Sequence, residues 1–167
     1  MQVPENTPKE IRDSLTEITV PYLSFSGEVT EGALIVHKDV ADELLVIFHK
    51  LLSLSFPIEK IVPMEEYGWD DEASMADNNT SAFNYRVILG TERLSHHARG
   101  RALDLNPKLN PHYARDGGVF PKNGTYDETV KGTITKNDAV VELFTSHGWT
   151  WGGDWQSIKD YQHFEKP

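Results

Sequence analysis

The sequence predicts an α+β domain in which helices pack on a small central antiparallel sheet. Two segments, 39–53 and 137–147, have apolar residues at helical spacing, and several short segments have the composition of β-strands. Between residues 106 and 135 neither pattern is found, and prolines and glycines interrupt the chain repeatedly. We therefore expect helices and short strands joined by one long irregular segment, which could form a wall of a binding cleft.

The N-terminal half is expected to begin with a short helix at 11–18. Two strands, at 22–25 and 33–36, then form a hairpin whose loop contains Gly27 and Gly32. The helix at 39–53 follows, with Asp39 as its cap. We divide the chain into an N-terminal extension, 1–20, and a single domain, 21–167.

Further strands are predicted where short apolar runs are bounded by turn residues. The acidic segment 67–81 lacks the spacing of a calcium-binding loop and is predicted to be a solvated loop. The helix at 137–147 should end at Gly148. The predicted strands lie at 58–64, 87–89, 101–105, 149–151 and 163–165.

The composition excludes several functions. The chain has 167 residues, no cysteine and a formal net charge of −10. Disulfides, thiolate metal ligands and a cysteine nucleophile are therefore excluded. The negative charge argues against nucleic acid as a partner, and no apolar run reaches the length of a membrane span. We expect a monomer that binds neither nucleic acid nor the membrane interior.

Two histidines and an aspartate, His97, Asp104 and His163, are the predicted metal ligands. Two imidazoles and one carboxylate with an open fourth position form a catalytic zinc site. Gly100, between the first two, permits a turn or a close backbone approach. His96 would point away from the metal if His97 points towards it.

The carboxylate of Asp104 lies among apolar neighbours and needs a partner if it is buried. A metal ion would provide one, and so would Arg101. In an extended chain Ala102 shares a face with Asp104 and leaves room beside it. Glu165 would share a face with His163 and could orient its ring.

Asp160 is the predicted general base, because it lies three positions before His163 and could accept a proton from a metal-bound water. Asp154 is the alternative base. Arg86 could bind a substrate carboxylate or polarise a carbonyl group, or it could form a structural ion pair.

The remaining candidates are substrate-binding residues. Ser95 is interpreted as a hydrogen-bonding group for the substrate or the loop, because no G-x-S-x-G motif marks it as a nucleophile. Trp151 and Trp155 could line the site, although an aromatic core position fits at least one of them equally well. The glycines before Asp154 would let the backbone approach a substrate peptide.

These residues form a pattern that resembles a known family. The pattern S-x-H-x-x-G-x-A-x-D begins at Ser95, W-G-G-D-W follows at 151–155, and D-x-x-H ends at His163. Over roughly 32–167 the chain resembles zinc D-Ala-D-Ala carboxypeptidases and dipeptidases, which include vancomycin-resistance dipeptidases and phage endolysins. The vancomycin-type members have glutamate at the position of Asp160, whereas other branches have aspartate.

The resemblance implies a zinc peptidase with the fold shared by hedgehog signalling domains and D-Ala-D-Ala peptidases. The implied substrate is a peptidoglycan stem peptide, cleaved as a D-Ala-D-Ala carboxypeptidase or as an L-Ala-D-Glu endopeptidase. A non-catalytic zinc-binding module is the alternative from another class. The implied location is the cell envelope or the exterior, reached through an export signal absent from this sequence or by phage lysis.

Overall fold

The described fold combines four helices with small antiparallel sheets, which is consistent with the predicted α+β class. The computed structural model describes residues 1–88 and 90–167. Instead of one central sheet, the described strands form a two-stranded hairpin and two three-stranded sheets. The helices are Lys9–Ser14 (α1), Lys38–Ser53 (α2), Asp71–Ala76 (α3) and Ala139–Ser146 (α4). The strands are Leu15–Leu23 (β1), Val29–His37 (β2), Ala102–Asp104 (β3), His112–Tyr113 (β4), Val119–Phe120 (β5), Thr150–Trp151 (β6), Lys159–Asp160 (β7) and His163–Glu165 (β8).

The N-terminal hairpin is longer than predicted. Strand β1 pairs with β2 along its whole length, from Leu15 opposite His37 to Leu23 opposite Val29. The predicted helix at 11–18 is wrong beyond Ser14, because burial of alternate side chains such as Ile18 and Val20 favours a strand. The boundary predicted at residue 20 lies within β1, and Leu15 is the first buried apolar residue of the described chain.

Helix α2 confirms the strongest helical prediction and covers the hairpin. Its apolar face is buried in the main core, with Leu44, Ile47 and Phe48 almost fully enclosed. The cap is His37 rather than Asp39, because the His37 Nδ1 accepts a hydrogen bond from the Asp39 N–H at 3.1 Å.

The segment between α2 and the first candidate ligand differs from its prediction. Residues 58–64 form no strand, since the side-chain amide of Asn79 bonds both the N–H and the C=O of Val62, at 2.8 and 3.0 Å. The predicted solvated loop at 67–81 contains α3 and ends in buried residues. Of the strand predicted at 87–89, Val87 makes an isolated bridge to Leu94, and Leu89 lies outside the described residues.

Two buried asparagines order the long segment 106–135. The side chain of Asn106 donates to the carbonyls of Pro57 and Gly132, and that of Asn110 donates to Gly132 and accepts from Ile134. A segment predicted to be irregular therefore contains β4 and β5, which form a sheet with β7. Side-chain amides, rather than long backbone ladders, hold this segment in place. Its sequence therefore lacks the periodicity that predicts strands.

The C-terminal elements agree with their predictions. Helix α4 is capped by Asp138 and stops before Gly148, whose φ is 81°. Phe144 of α4 stacks on Phe164 of β8, with ring centroids 4.1 Å apart, so the helix packs on the sheet β3–β8–β6. Along 1–88 and 90–167, no helix has both the length and the apolar character needed to cross a bilayer.

Candidate metal centre and active site

Strand pairing brings two of the predicted ligands together. Strands β3 and β8 are antiparallel, and Asp104 lies directly opposite His163 in their register. Directly opposed side chains project from the same face of a sheet. Residues 59 positions apart in the chain therefore have their carboxylate and imidazole 3.0 Å apart, between Oδ1 and Nδ1.

The third predicted ligand, His97, comes from a tight turn before β3. The turn His97–Arg99 ends at Gly100, whose φ is 66°. A Cβ at Gly100 would lie 2.5 Å from the backbone nitrogen of His37, so both predicted reasons for this glycine are confirmed. The turn places the His97 Nε2 at 3.1 Å from the His163 Nδ1 and 3.2 Å from the Asp104 Oδ2.

In both histidines, the ring nitrogen that faces away from the cluster has a hydrogen-bond acceptor beside it, and this contact fixes the tautomer. The Nδ1 of His97 lies 2.5 Å from the Ala82 carbonyl oxygen, which can only accept a hydrogen bond. The Nε2 of His163 lies 3.0 Å from the Glu165 carboxylate, which also accepts. If both rings are neutral, the His97 Nε2 and the His163 Nδ1 carry lone pairs that face each other and Asp104.

Three buried acceptors facing one another need a cation between them. The ligand atoms of His97, Asp104 and His163 all lie within 4.8 Å of one another. Ligands of a tetrahedral zinc ion, about 2.1 Å from the metal, are separated by roughly 3.4 Å, which is close to the separations found here. The donor set therefore fits a zinc ion, and Ala82 and Glu165 supply the outer hydrogen bonds that orient such ligands.

The electrostatics of the three groups agree with a cation site. Burial opposes ionisation of Asp104, but the His97 and His163 imidazoles outweigh burial and hold the pKa of Asp104 well below its usual range. Burial likewise opposes the imidazolium of His163, yet the hydrogen bonds with Asp104 and Glu165 raise the pKa of His163 to about 10. A proton on His163 thus supplies the positive charge when no metal is bound, and metal binding would release it.

Asp160 lies on β7, next to this cluster along the chain. In the sheet β5–β4–β7 it is directly opposite His112, and its Oδ2 is 3.1 Å from the His112 Nδ1. Its Oδ1 is buried and has no hydrogen-bond partner among the described residues. The backbone of Gly152 packs against it, since a Cβ at Gly152 would lie 2.5 Å from the Asp160 carbonyl oxygen.

Arg86 forms an ion pair, which is one of the two roles that its prediction left open. One guanidinium nitrogen, Nη2, forms an ion pair with Asp71 of α3 at 3.0 Å. Asn84 donates to the other oxygen of Asp71 at 3.1 Å. The Nε of Arg86 is buried and finds no acceptor within the described part of the chain. The side chain is therefore held in place while one donor remains free for a ligand.

The C-terminal part of the chain matches a known family. Residues 89–166 match the family model described as D-alanyl-D-alanine carboxypeptidase. Over these residues, which make up just under half of its length, the chain is similar to this family. The match includes His97, Asp104, Asp160 and His163, and it supports a hydrolase that cleaves peptide bonds. The resemblance read from the sequence motifs is thereby confirmed.

Two of the alternatives considered for this family's motif residues are not supported by the contacts. Arg101 pairs with Asp39, away from Asp104. His96 lies outside the group of convergent ligand atoms, and its Nε2 is 3.9 Å from the Glu165 carboxylate. The predicted partnership of Glu165 with His163 is present in the structure.

The predicted substrate-binding residues occupy different environments. Ser95 is buried and accepts a hydrogen bond from the His97 N–H at 3.2 Å, so its hydroxyl supports the turn. Trp155 lies beside the cluster, with its ring centroid 5.4 Å from that of His163. Trp151 is a core residue, since it is buried, stacks with Phe164 and donates to the Tyr161 carbonyl.

Asp154 lies at the surface, and the adjacent glycines pack against other residues of the protein. Asp154 is exposed, and its nearest charged group is the Lys136 ammonium at 3.9 Å. Gly152 and Gly153 were expected to let the backbone approach a substrate. Instead their missing side chains make room for Asp160 and for the indole of Trp151. The alternative base therefore lacks the enclosed position that Asp160 has.

Sequence reasoning missed three contributors to the site. His112 lies in the segment 106–135, where no periodicity indicated its pairing with Asp160. Asp71 was part of the acidic segment interpreted as solvated, although its carboxylate holds Arg86 and Asn84. The Ala82 carbonyl is a backbone group and has no sequence signal of its own.

Proposed function

We propose that this protein is a zinc peptidase that hydrolyses peptide bonds in peptidoglycan stem peptides, acting as a D-Ala-D-Ala carboxypeptidase. The observation that carries the proposal is the convergence of the His97, Asp104 and His163 ligand atoms within residues that match the family. The proposed fold is that of the hedgehog and D-Ala-D-Ala peptidase group, and the proposed location is outside the cytoplasmic membrane, where the substrate is found.

The chain supplies three functions around such a metal. The Nε2 of His97, a carboxylate oxygen of Asp104 and the Nδ1 of His163 would hold zinc. When bound, zinc would supply Lewis-acid chemistry, which acidifies water and polarises a carbonyl group. The fourth position remains for solvent or substrate, because the described cluster contains three protein ligands.

Proton transfer is assigned to Asp160. Its buried Oδ1, which has no partner among the described side chains and backbone groups, accepts a proton from the attacking water. The same oxygen then donates that proton to the leaving amine as the peptide bond breaks. Trp155 lies beside His163 and contributes an apolar surface to this side of the site.

Arg86 is proposed to stabilise negative charge. Its ion pair with Asp71 fixes the guanidinium plane, and its Nε–H is free to donate to a carbonyl oxygen or to a terminal carboxylate of the substrate. A guanidinium already held in position loses little entropy when it binds substrate, which favours its use in catalysis.

The proposal is tested by incubating the zinc-loaded protein with purified muropeptides and analysing the products by mass spectrometry. We expect loss of one terminal alanine from pentapeptide stems, and no loss after zinc is removed with a chelator. A stem severed between L-Ala and D-Glu would instead identify an endopeptidase. Intact muropeptides in the presence of bound zinc would contradict a catalytic role and favour a binding module.

Replacing Glu165 with glutamine is expected to weaken zinc binding. Glutamine can no longer accept with a full negative charge from the His163 Nε2–H, so the ring loses orientation and basicity. We expect the zinc dissociation constant to rise by roughly 10- to 100-fold. Competition with a chromogenic chelator measures it, and Glu142→Gln, on the exposed face of α4, is the control. An unchanged dissociation constant would remove Glu165 from this role.

A further inference from the structure

We propose that His112 is a positioning residue for the general base, which holds the Asp160 carboxylate so that its other oxygen faces the reaction. This inference rests on the proposed function. The carrying observation is the 3.1 Å contact between the His112 Nδ1 and the Asp160 Oδ2.

The sheet fixes this pair of side chains. Strand β4 lies between β5 and β7, and His112 is opposite both Asp160 and Phe120. The imidazole packs near the ring of Phe120, with centroids 6.2 Å apart. Both side chains of the pair are largely buried, with 24% of the His112 and 17% of the Asp160 side chain exposed. Because the two residues are directly opposite in the sheet, their side chains project from the same face and stay close together.

The strands that carry the pair are themselves anchored. Asn110, two positions before His112, makes hydrogen bonds with the backbone of Leu105, Gly132 and Ile134. Leu105 directly follows β3, which carries the candidate ligand Asp104. The position of His112 is therefore connected through the backbone to the metal centre.

The contact with His112 gives the two carboxylate oxygens of Asp160 different roles. The Oδ2 faces His112, whereas the Oδ1 is buried and has no partner among residues 1–88 and 90–167. A buried carboxylate oxygen without a donor is costly, and this cost is relieved when the oxygen accepts a proton. Fixing Oδ2 therefore leaves Oδ1 as the atom that takes the proton from water.

The contact has the distance of an ion pair but the ring N–H is not aligned as in a good hydrogen bond. Catalytic hydrogen bonds are often poorly aligned before substrate binds and improve in the complex.

The charges around His112 agree with its pairing with Asp160. Burial opposes the imidazolium, but contact with Asp160 outweighs burial and raises the pKa of His112. The other charged groups that face this ring are Asp104, which favours the imidazolium, and His163, which opposes it.

The experiment compares two replacements of His112. His112→Leu removes the donor, whereas the side-chain N–H of His112→Asn can occupy a position close to that of Nδ1–H. We expect His112→Leu to lower kcat by roughly 10- to 100-fold, because the base is misplaced, with little change in KM or zinc content. We expect His112→Asn to restore most of kcat. The control is His49→Leu, on the exposed surface of α2.

The pH profile separates positioning from a merely structural role. Without the positive charge of His112, protons compete more effectively for the Asp160 carboxylate. The acid limb of kcat against pH should therefore move to higher pH in both variants, including the active His112→Asn. A His112→Leu variant with normal kcat and an unmoved acid limb would overturn the inference. Equal losses of kcat in both variants with an unmoved acid limb would also overturn it.

A measurement independent of turnover tests the pairing. In the zinc-loaded protein, ring-nitrogen NMR should give a lower pKa for His112 in Asp160→Asn than in the unsubstituted chain. An equal pKa of His112 in the two proteins would contradict the contact.

If the unsubstituted protein binds zinc but cleaves no muropeptide, the proposed function fails and His112 loses its role with it. An active protein with normal His112→Leu turnover refutes the role of His112 alone.

Discussion

Replacing Asp160 with alanine is expected to lower kcat by about 100- to 10,000-fold, which is the usual contribution of a positioned general acid–base. Zinc binding should persist, because Asp160 lies outside the group of convergent ligand atoms. The physical reason is the loss of the buried Oδ1 that accepts the proton of water. Steady-state kinetics on a muropeptide substrate, combined with elemental analysis for zinc, measures both effects.

Two further variants make this result specific. Asp42→Ala removes an exposed carboxylate from α2 and should leave kcat unchanged. Asp154→Ala tests the alternative base, which is exposed and near Lys136. If Asp154→Ala caused the larger loss and Asp160→Ala retained near-normal turnover, the assignment of the base would be wrong.

Replacing His97 with alanine is expected to abolish stoichiometric zinc binding and, with it, hydrolysis. The Nε2 of His97 is one of three ligand atoms, and its removal leaves an imidazole and a carboxylate. We expect affinity to fall by more than roughly 100-fold, since loss of an outer partner alone reaches that value. Equilibrium dialysis followed by elemental analysis measures the zinc content.

His96→Ala is the matched control, because it removes the adjacent imidazole that lies outside the cluster. It should retain one zinc ion per chain. Because His97 is buried and bonds to the Ala82 carbonyl, its removal also creates a cavity. Asp104→Asn, which preserves shape, provides a second test and should also lose zinc. Zinc retained by both His97→Ala and Asp104→Asn would refute the predicted ligand set.

The sequence predicted the candidate ligands because their chemistry and spacing are unusual. A histidine and an aspartate on either side of a small turn, followed by a distant second histidine, are typical of metal sites, and the spacing of His97, Gly100 and Asp104 matched a known motif. The strand that begins at His163 was also predicted, so the approach of His163 to Asp104 required only an antiparallel pairing. Glu165 could be placed beside His163 from strand alternation alone.

Contacts between distant residues could not be predicted in the same way. His112 meets Asp160 only because β4 pairs with β7, and strands of two residues have no periodicity that would reveal them. The environment of Trp151 was equally hidden, because the same tryptophan suits a core or a cleft wall. Its core position depends on stacking with Phe164 from another strand.

Helix and strand boundaries were wrong where side chains replaced backbone partners. His37 rather than Asp39 caps α2, since an imidazole nitrogen can accept from the first free N–H groups. The side-chain amide of Asn79 makes the hydrogen bonds with the Val62 backbone that a neighbouring strand would otherwise make. Such contacts depend on chain segments that meet only in the folded protein.

The central claim is that His97, Asp104 and His163 bind one zinc ion and leave one coordination position to solvent or substrate. A crystal structure of the zinc-loaded protein, with anomalous data at the zinc edge, tests this most directly. The account predicts one ion bonded to the His97 Nε2, an Asp104 oxygen and the His163 Nδ1, at about 2.0–2.2 Å. A zinc ion bound elsewhere, or a fourth protein side chain completing its coordination, would contradict it.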